Sequence, residues 1–408
     1  MNKKILSFLL LGAFVFNTNN FILFANQIKE ETPKEQIEKQ ETGKEEAILD
    51  VSAKSSILIE ATTGKVLYEK NSDEKLSPAS VTKVMTLYLI YESIKEGKIK
   101  WEDVVTVSEY AASMGGSQIF LEPMEKQDVK TLTKSIVIAS ANDAAVAMAE
   151  YIAGSEEEFV KLMNQKAKEL GMENTNFENA CGLDTDTTNH YMSARDIAIV
   201  SKELMTKHPE IKEFTTKWQD TITHKTKKGE TEFGLTNTNK LLKMYDGATG
   251  LKTGSTKKAL YCLSGSAERD GLSLIAVVMA SPDPKERFKD VAKVLDYGFA
   301  NYQVVECDNE GQNMGSTSVY KGKEPIVNGV LAKQANFVIK KGASKDIQKD
   351  IQIIQGVKSP ISKGTKIGEV IYTYEGNEIG RIDILAEKDI EKASLNDIFK
   401  KLIIDWVI

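Results

Sequence analysis

The rhythm of apolar and polar residues changes several times along the chain. A first apolar run, Ile5 to Phe16, follows Lys3 and Lys4, and a second, Phe21 to Ala25, ends in Leu-Phe-Ala. Both are short for a membrane span, and the order of charge, apolar stretch and small residue predicts an export signal over 1–25, either cleaved after Ala25 or kept as an anchor. Gln27 to Glu46 is almost wholly charged or polar, with Pro33 and no aromatic residue, so 26–47 reads as a tether that cannot bury enough surface to fold alone. Alternation then sets in at Ser56–Glu60 and Lys65–Glu69 around Thr-Thr-Gly, the pattern of a hairpin. From Ser80 the period becomes helical: Val81, Val84, Met85, Tyr88, Leu89 and Tyr91 recur until Gly97 stops the run. Further helical stretches are predicted at Thr131–Ala153, Glu156–Leu170 and Ala194–Met205.

Strand signals return after Gly250. Lys258–Ala267 and Leu272–Ser281 are apolar and partly β-branched, with Glu268-Arg-Asp-Gly271 as the turn between them. Pro284–Tyr302 is a closing helix. A mainly helical insert between two strand-rich halves predicts an α+β body over 48–302, its sheet assembled from both ends of that segment. Beyond it, Asn336–Lys340, Gly368–Tyr374 and Glu378–Leu385 are short β-like runs broken by Gly, Lys and Asn, which predicts a small β-rich domain over 303–387. In the tail, 388–408, Leu395, Ile398, Phe399, Leu402 and Trp406 share one helical face, opposite Asp397, Lys400 and Lys401. That is an amphipathic helix suited to a membrane interface, or to packing on its own β domain.

Composition narrows the function classes. Hydrophobic residues make up 41% and charged residues 27%, ordinary for a water-soluble body. The net charge of -6 supplies no basic field for nucleic acid. The 3 cysteines, Cys181, Cys262 and Cys307, are too few for a disulfide scaffold, and neither they nor His190, His208 and His224 show metal-ligand spacing. No metal and no cofactor is expected.

The candidate chemistry starts at Ser80-Val-Thr-Lys83. Residues three apart share a helix face, so the hydroxyl and the amine can meet. A serine needs a base, and a desolvated lysine can be neutral near pH 7 and act as one. The pattern SxxK occurs at four places, Ser72/Lys75, Ser80/Lys83, Ser255/Lys258 and Ser318/Lys321, but only Ser80 opens a strongly periodic apolar helix. Ser140-Ala-Asn142 lies where the apolar run Ile136–Ala139 breaks, and offers a hydroxyl and an amide. Lys252-Thr253-Gly254 opens the strand-rich half. A strand edge there can bind an extended peptide, with charge and a hydroxyl for a carboxylate and a glycine for close backbone approach. The N–H groups of Ser80 and Ser255 are candidates for an oxyanion hole.

The ordered set SxxK, SxN, KTG is the signature of the penicillin-recognising serine enzymes. The fuller segments Ser77-Pro-Ala-Ser-Val-Thr-Lys83, Ser140-Ala-Asn-Asp-Ala-Ala145, Ser193-Ala-Arg-Asp196 and Asp246-Gly-Ala-Thr-Gly-Leu-Lys-Thr-Gly254 resemble the low-molecular-weight D-alanyl-D-alanine carboxypeptidases. The resemblance implies a β-lactamase/transpeptidase-like domain, an antiparallel sheet with a helical insert, followed by the small β domain and the tail helix. It implies an exported enzyme on the outer face of the bacterial cytoplasmic membrane, held there by its C-terminal helix. Its substrates would be peptidoglycan stem peptides ending in D-Ala-D-Ala, and β-lactam antibiotics would acylate it. By motif, Ser80 is the nucleophile and Lys83 its base. Ser140, with Lys252, relays a proton to the leaving D-alanine, Asn142 holds the acyl amide, and Lys252 and Thr253 hold the terminal carboxylate. Two positions depart from the family pattern: Ser255, where some relatives carry His, and Asn179-Ala-Cys-Gly-Leu183, where relatives often carry Pro-His before Gly-Leu. A β-lactamase and a catalytically decayed peptidoglycan-binding module stay open as alternatives. Asp143 and Asp196 read as helix caps or salt-bridge partners, Cys181 and Cys262 as buried fillers, and His190 as a structural hydrogen-bonder.

Overall fold

The computed structural model describes residues 49–185, 187–227, 229–342 and 346–399. The export signal and the whole tether lie outside the described residues, as do Lys400, Lys401, Leu402 and Trp406 of the tail.

Strands β1 (Ser55–Glu60) and β2 (Val66–Lys70) form the opening hairpin. A 3₁₀ turn at Ala79–Thr82 leads into α1 (Lys83–Lys95). The short pair β3 (Val104–Thr106) and β4 (Lys126–Asp128) flanks the single turn α2 (Glu109–Ala112). Four helices follow: α3 (Val129–Ile138), α4 (Asn142–Ala153), α5 (Glu156–Glu169) and α6 (Ala194–Lys207). The short α7 (Lys212–Thr215) precedes a two-stranded excursion, β5 (Gln219–Thr226) and β6 (Gly229–Thr236). After α8 (Leu241–Met244), the chain returns through β7 (Ala248–Thr256), β8 (Leu260–Arg269) and β9 (Leu272–Ser281), and α9 (Glu286–Asn301) closes the body.

The main sheet has the order β2-β1-β9-β8-β7, antiparallel throughout. The two ends of the body therefore meet between β1 and β9, where Ile57 pairs with Val277. Both faces of this sheet are covered. Ile57, Ile59, Ile275 and Val277 join the core of the helical insert, whereas Leu58, Ala276 and Val278 pack with Val291, Val294 and Leu295 of α9. Burial on both faces explains why β1 and β9 are apolar runs and not clean alternations. Among the described residues the edge strand β7 pairs with β8 and with no other strand, so its other edge can pair with an extended peptide.

The insert differs from its sequence outline in two ways that matter for the site. Ser80 does not open α1. It sits one turn earlier, in the 3₁₀ segment, and α1 begins at Lys83. Every residue from Lys83 to Tyr91 is buried, so α1 is a central helix wrapped on all sides, and the apolar period marked only part of its contact surface. The stretch 131–153 is two helices, broken where Ser140 takes φ 62°.

The second region holds β10 (Tyr302–Asp308), β11 (Asn313–Tyr320), β12 (Ile326–Leu331), β13 (Ala335–Lys340), β14 (Gln348–Ile353), β15 (Val357–Lys358), β16 (Lys366–Tyr374) and β17 (Asn377–Ala386). Six of them form a sheet of order β14-β16-β17-β12-β11-β15, and β10 pairs with β13. Its own core includes Val327, Phe337, Ile367, Tyr372 and Ile384. The expected tail helix starts later than 388. Ile390 is buried and bridges Ile361, Lys392 bridges Gly322, and helix begins only at 395. Ile390 and the backbone hydrogen bonds of Glu391 with Lys323 and of Ala393 with Lys321 therefore tie this segment to the β domain. Leu395 and Phe399 are 87% and 66% exposed. Among the described residues no helix is long and apolar enough to cross a membrane.

Candidate active site

The 3₁₀ turn that carries Ser80 is strained and held from two sides. Ala79, directly before it, has φ 48°, a left-handed value that costs a non-glycine residue on the order of 1 kcal/mol or more. On one side lies Gly182, φ 82°, where an added Cβ would fall 1.9 Å from the Ala79 carbonyl oxygen. On the other lies Gly254, where a Cβ would fall 2.6 Å from the Pro78 oxygen and 3.1 Å from the Ser80 nitrogen. Only glycine permits either approach, so these two residues let the Asn179–Leu183 segment and strand β7 close on the turn that carries Ser80.

Lys83 is fully buried, and its Nζ donates to Ser80 Oγ at 3.0 Å, Asn142 Oδ1 at 2.5 Å and the Cys181 carbonyl at 2.8 Å. Three acceptors match the three protons of an ammonium. Burial nevertheless pushes the Lys83 pKa down to about 8. At pH 7 roughly a tenth of the molecules then carry a neutral amine beside Ser80. The Cys181 thiol is buried and its pKa is raised, so the backbone oxygen, and not the sulfur, is what this residue brings to the site.

Asn142 is the first residue of α4. Its N–H donates to Ser117 O and its Nδ2 to Gly115 O, each at 2.7 Å. Asp143 is not the N-cap of α4, although it accepts the N–H of Ala144 in that helix's first turn at 2.9 Å, and among the described residues it forms no ion pair. Its buried carboxylate accepts the N–H groups of Ile119 and Leu121, stitching the 115–121 loop to Asn142. Asp196 does the same elsewhere, accepting from Asn174 N–H and the Thr175 hydroxyl, while Ser193 caps α6. Ser140 is 3% exposed, and its hydroxyl makes no hydrogen bond among the described residues. The expected relay from Ser140 to Lys252 is therefore not a formed hydrogen bond in this state.

Strand β7 places Lys252, Thr253, Gly254 and Ser255 in succession on the free edge of the sheet. Lys252 is 1% exposed, and burial first, then the positive charges of Lys83 and Arg287, hold its pKa well below that of an ordinary lysine. Thr253 Oγ1 lies 2.6 Å from Thr238 Oγ1. The side chain of Ser255 is exposed.

Two groups here carry no motif. Arg287, on α9, donates from Nη1 to Gly254 O at 3.1 Å, its Nε is buried without a partner, and its guanidinium lies over the Tyr261 and Phe288 rings. Among the described residues no carboxylate pairs with it. Thr238 lies in the short link between β6 and α8. Neither position stands out in hydropathy, since topology alone brings them to β7.

Of the other SxxK pairs, Ser255/Lys258 falls at the end of β7 and the turn after it, and the remaining two lie apart from Lys83. The Ser72 hydroxyl donates to Glu69 and accepts from Arg195, and Ser318 belongs to β11 in the second region. His190 is buried, which pushes its pKa down to about 4. Its Nδ1 accepts from Glu178 N–H, so Nε2 carries the proton and donates to Thr82 Oγ1 at 2.8 Å. Among the described residues no three His, Cys, Asp or Glu side chains are placed to hold a metal ion.

Residues 39–283 match the family model described as D-alanyl-D-alanine carboxypeptidase. The chain belongs to this family. Residues 302–392 match a second model, the C-terminal domain of penicillin-binding protein 5. The chain is 45% identical over 365 residues to the D-alanyl-D-alanine carboxypeptidase DacF of Bacillus subtilis, covering 89% of this chain and 92% of that one. Among solved structures it resembles penicillin-binding protein 5 from Haemophilus influenzae, with TM-score 0.70, 31% identity, and 84% and 98% of the two chains covered. It also resembles a peptidoglycan synthesis regulatory factor from Streptococcus pneumoniae, with TM-score 0.72, 29% identity, and 84% and 100% covered. The chain is thus a serine-type D-alanyl-D-alanine carboxypeptidase with the two-domain fold of the low-molecular-weight penicillin-binding proteins. In this carboxypeptidase the Cys181 departure leaves a carbonyl on the lysine, and the Ser255 departure leaves the β7 backbone in place.

Proposed function

We propose that Ser80 is the acylated nucleophile and that Lys83 in its neutral form is the base. The observation that carries this is a fully buried amine 3.0 Å from the Ser80 hydroxyl, with its pKa brought down to about 8. Ser80 Oγ attacks the carbonyl of the penultimate D-alanine while its proton passes to Lys83 Nζ. The N–H groups of Ser80 and Ser255 face the developing oxyanion. The C–N bond breaks, and the proton reaches the leaving D-alanine through Ser140 and Lys252. Water then hydrolyses the Ser80 ester. Asn142 holds the acyl amide with the second lone pair of Oδ1 or the second proton of Nδ2, the first of each being taken by Lys83 and Gly115. Lys252, Thr253 and Arg287 hold the terminal carboxylate, because two buried or half-buried cationic side chains without a carboxylate partner, with a hydroxyl donor between them in the chain, favour an anion.

Such a substrate lies outside the cytoplasmic membrane, in keeping with the signal-like segment 1–25. The exposed Leu395 and Phe399 suit a tail that rests in the membrane interface. Fractionation with and without 395–408 tests the attachment: a truncated protein that still sediments with membranes defeats it.

Ser80→Ala tests the nucleophile. It should abolish release of D-alanine and the mass shift produced by penicillin, while Ser72→Ala and Ser318→Ala change neither. A penicillin adduct on the Ser80→Ala protein refutes the assignment. The lifetime of the parent adduct separates the alternatives: a β-lactamase turns it over quickly, and a decayed module never forms it.

A further inference from the structure

The hydroxyl of Thr253 has one partner among the described residues, Thr238 Oγ1 at 2.6 Å. Thr238 is not loosely placed. Its N–H donates to the carbonyl of Ile138, the last residue of α3, at 3.2 Å. On one side Asn237 N–H donates to Trp218 O at 2.8 Å and Asn237 Nδ2 to Lys217 O at 2.9 Å. On the other, Asn239 N–H returns to Asn237 Oδ1 at 2.9 Å, and Leu241 N–H reaches Asn239 Oδ1 at 3.1 Å. The link between β6 and α8 thus hangs from the helix that ends two residues before Ser140, and it presents a single hydroxyl to Thr253.

A hydroxyl has one proton, and a carboxylate can only accept. If Thr253 gave its proton to Thr238, it would turn lone pairs toward the substrate's terminal carboxylate and repel it. Recognition therefore requires the opposite sense, with Thr238 donating to Thr253 and Thr253 donating onward. A chain of this kind polarises the terminal O–H and strengthens its bond to the anion. Resting on the reading of Thr253 as a carboxylate-binding group, we infer that Thr238 is a positioning residue, which fixes the Thr253 hydroxyl as a donor aimed at the terminal carboxylate without touching substrate itself.

The test uses the full chain and two substrates, a peptide ending in D-Ala-D-Ala with a free carboxylate and the same peptide amidated at its C-terminus. Thr238→Val keeps the shape and removes the hydroxyl. It should lower kcat/KM on the acid about 2- to 12-fold, the range of one neutral hydrogen bond, and leave the amide rate unchanged. Thr238→Ser should restore the acid rate to within about twofold, because the donor returns. An unchanged acid rate in Thr238→Val overturns the inference, and so does an equal fall on acid and amide, which marks a merely structural contact. Thr253→Val separates the two levels. If it shifts the acid-to-amide ratio and Thr238→Val does not, only the role of Thr238 fails. If Thr253→Val leaves that ratio unchanged, the reading of Thr253 fails, and the inference with it.

Discussion

The two regions of this carboxypeptidase bury charge in opposite ways. In the β-rich region Asp308 is 5% exposed and fully answered: Lys349 Nζ at 2.7 Å, Gln312 Nε2 at 2.8 Å and Tyr372 Oη at 2.9 Å all donate to it. In the catalytic body Lys83 and Lys252 are buried and Arg287 is half-buried, and none has a carboxylate partner among the described residues. Carboxylates are buried nearby, yet they are spent on backbone N–H groups, as at Asp143. A buried charge left without a counter-ion is costly. Where the chain neutralises such a charge, it serves the fold. Where it leaves one open, the lysine pKa falls, as the proposed base needs, and the guanidinium of Arg287 is left without a counter-ion, as the proposed carboxylate site needs.

That contrast breaks first at Lys83. Lys83→Arg keeps a positive charge but cannot yield a neutral base near pH 7. Acylation by a D-Ala-D-Ala peptide should fall at least about 10²-fold, the low end for general-base catalysis. In the parent enzyme the acylation rate should rise with pH up to about 8, because the neutral amine is the working form. Near-normal acylation by the arginine variant, or a rate flat from pH 6 to 9, would show that another group activates Ser80.

The open charge at Arg287 sharpens the contrast from the ligand side. Arg287→Met removes the guanidinium and keeps much of its length. A charge-assisted hydrogen bond contributes about 1.5–3 kcal/mol, so kcat/KM on a free-acid peptide should drop roughly 10- to 150-fold. The amidated peptide, which offers no anion, should react at its parental rate. Equal losses on both would remove Arg287 from carboxylate recognition.

Stability against pH should carry the same signature. Lys83 titrates near 8 folded and near 10.5 unfolded, so between these values the unfolded chain binds more protons, and folding stability rises with pH. The gain is at most about 3 kcal/mol for a shift of this size. Lys83→Met should lack that rise, measured as the difference between the two proteins' denaturant midpoints at pH 8 and pH 10. Parallel curves would mean that Lys83 does not titrate differently on folding.

Much of this was legible in the chain. Ser80, Lys83, Ser140, Asn142 and Lys252–Ser255 lie in motifs whose spacing is dictated by a helical turn or a strand edge. The helices α5, α6 and α9 and the hairpin β8–β9 announce themselves by period and turn residues, whereas the single turns α7 and α8 are too short to show a period. What stayed hidden has physical reasons. The Cys181 carbonyl is a backbone group and leaves no mark in sequence. Arg287 and Thr238 reach β7 only because α9 and the β6–α8 link are folded back on it. The β5–β6 hairpin is rich in Lys, Thr and Glu, and its buried face rests on only Ile222 and His224 of one strand and Phe233 and Leu235 of the other, too short an alternation to stand out. In the tail, 390–393 pair with backbone at Ile361, Lys321 and Lys323, partners far off in the sequence, so nothing local marks the segment as strand-like.

The smallest effect expected is at the neutralised charge, and it tests the comparison from the other end. Asp308 joins β10 to the core of the second region through Tyr372, whose ring also packs on Phe337 at 4.8 Å. Asp308→Asn preserves size, removes the charge that pairs with Lys349, and leaves one side-chain oxygen to accept the three donors now aimed at two. Lys349 is 44% exposed, so its loss of a partner is softened by water. The net cost should be about 1–2 kcal/mol, the scale of one or two buried hydrogen bonds. It should appear as a lower denaturant midpoint. Catalysis should not follow, because every proposed catalytic or substrate-binding group lies before Tyr302. Hydrolysis of a small soluble peptide by Asp308→Asn, measured well below its midpoint, should keep the parental kcat and KM. A fall in kcat at full folding would show that the β-rich region acts on the active site, and the division between charge held for the fold and charge left open for the substrate would then fail.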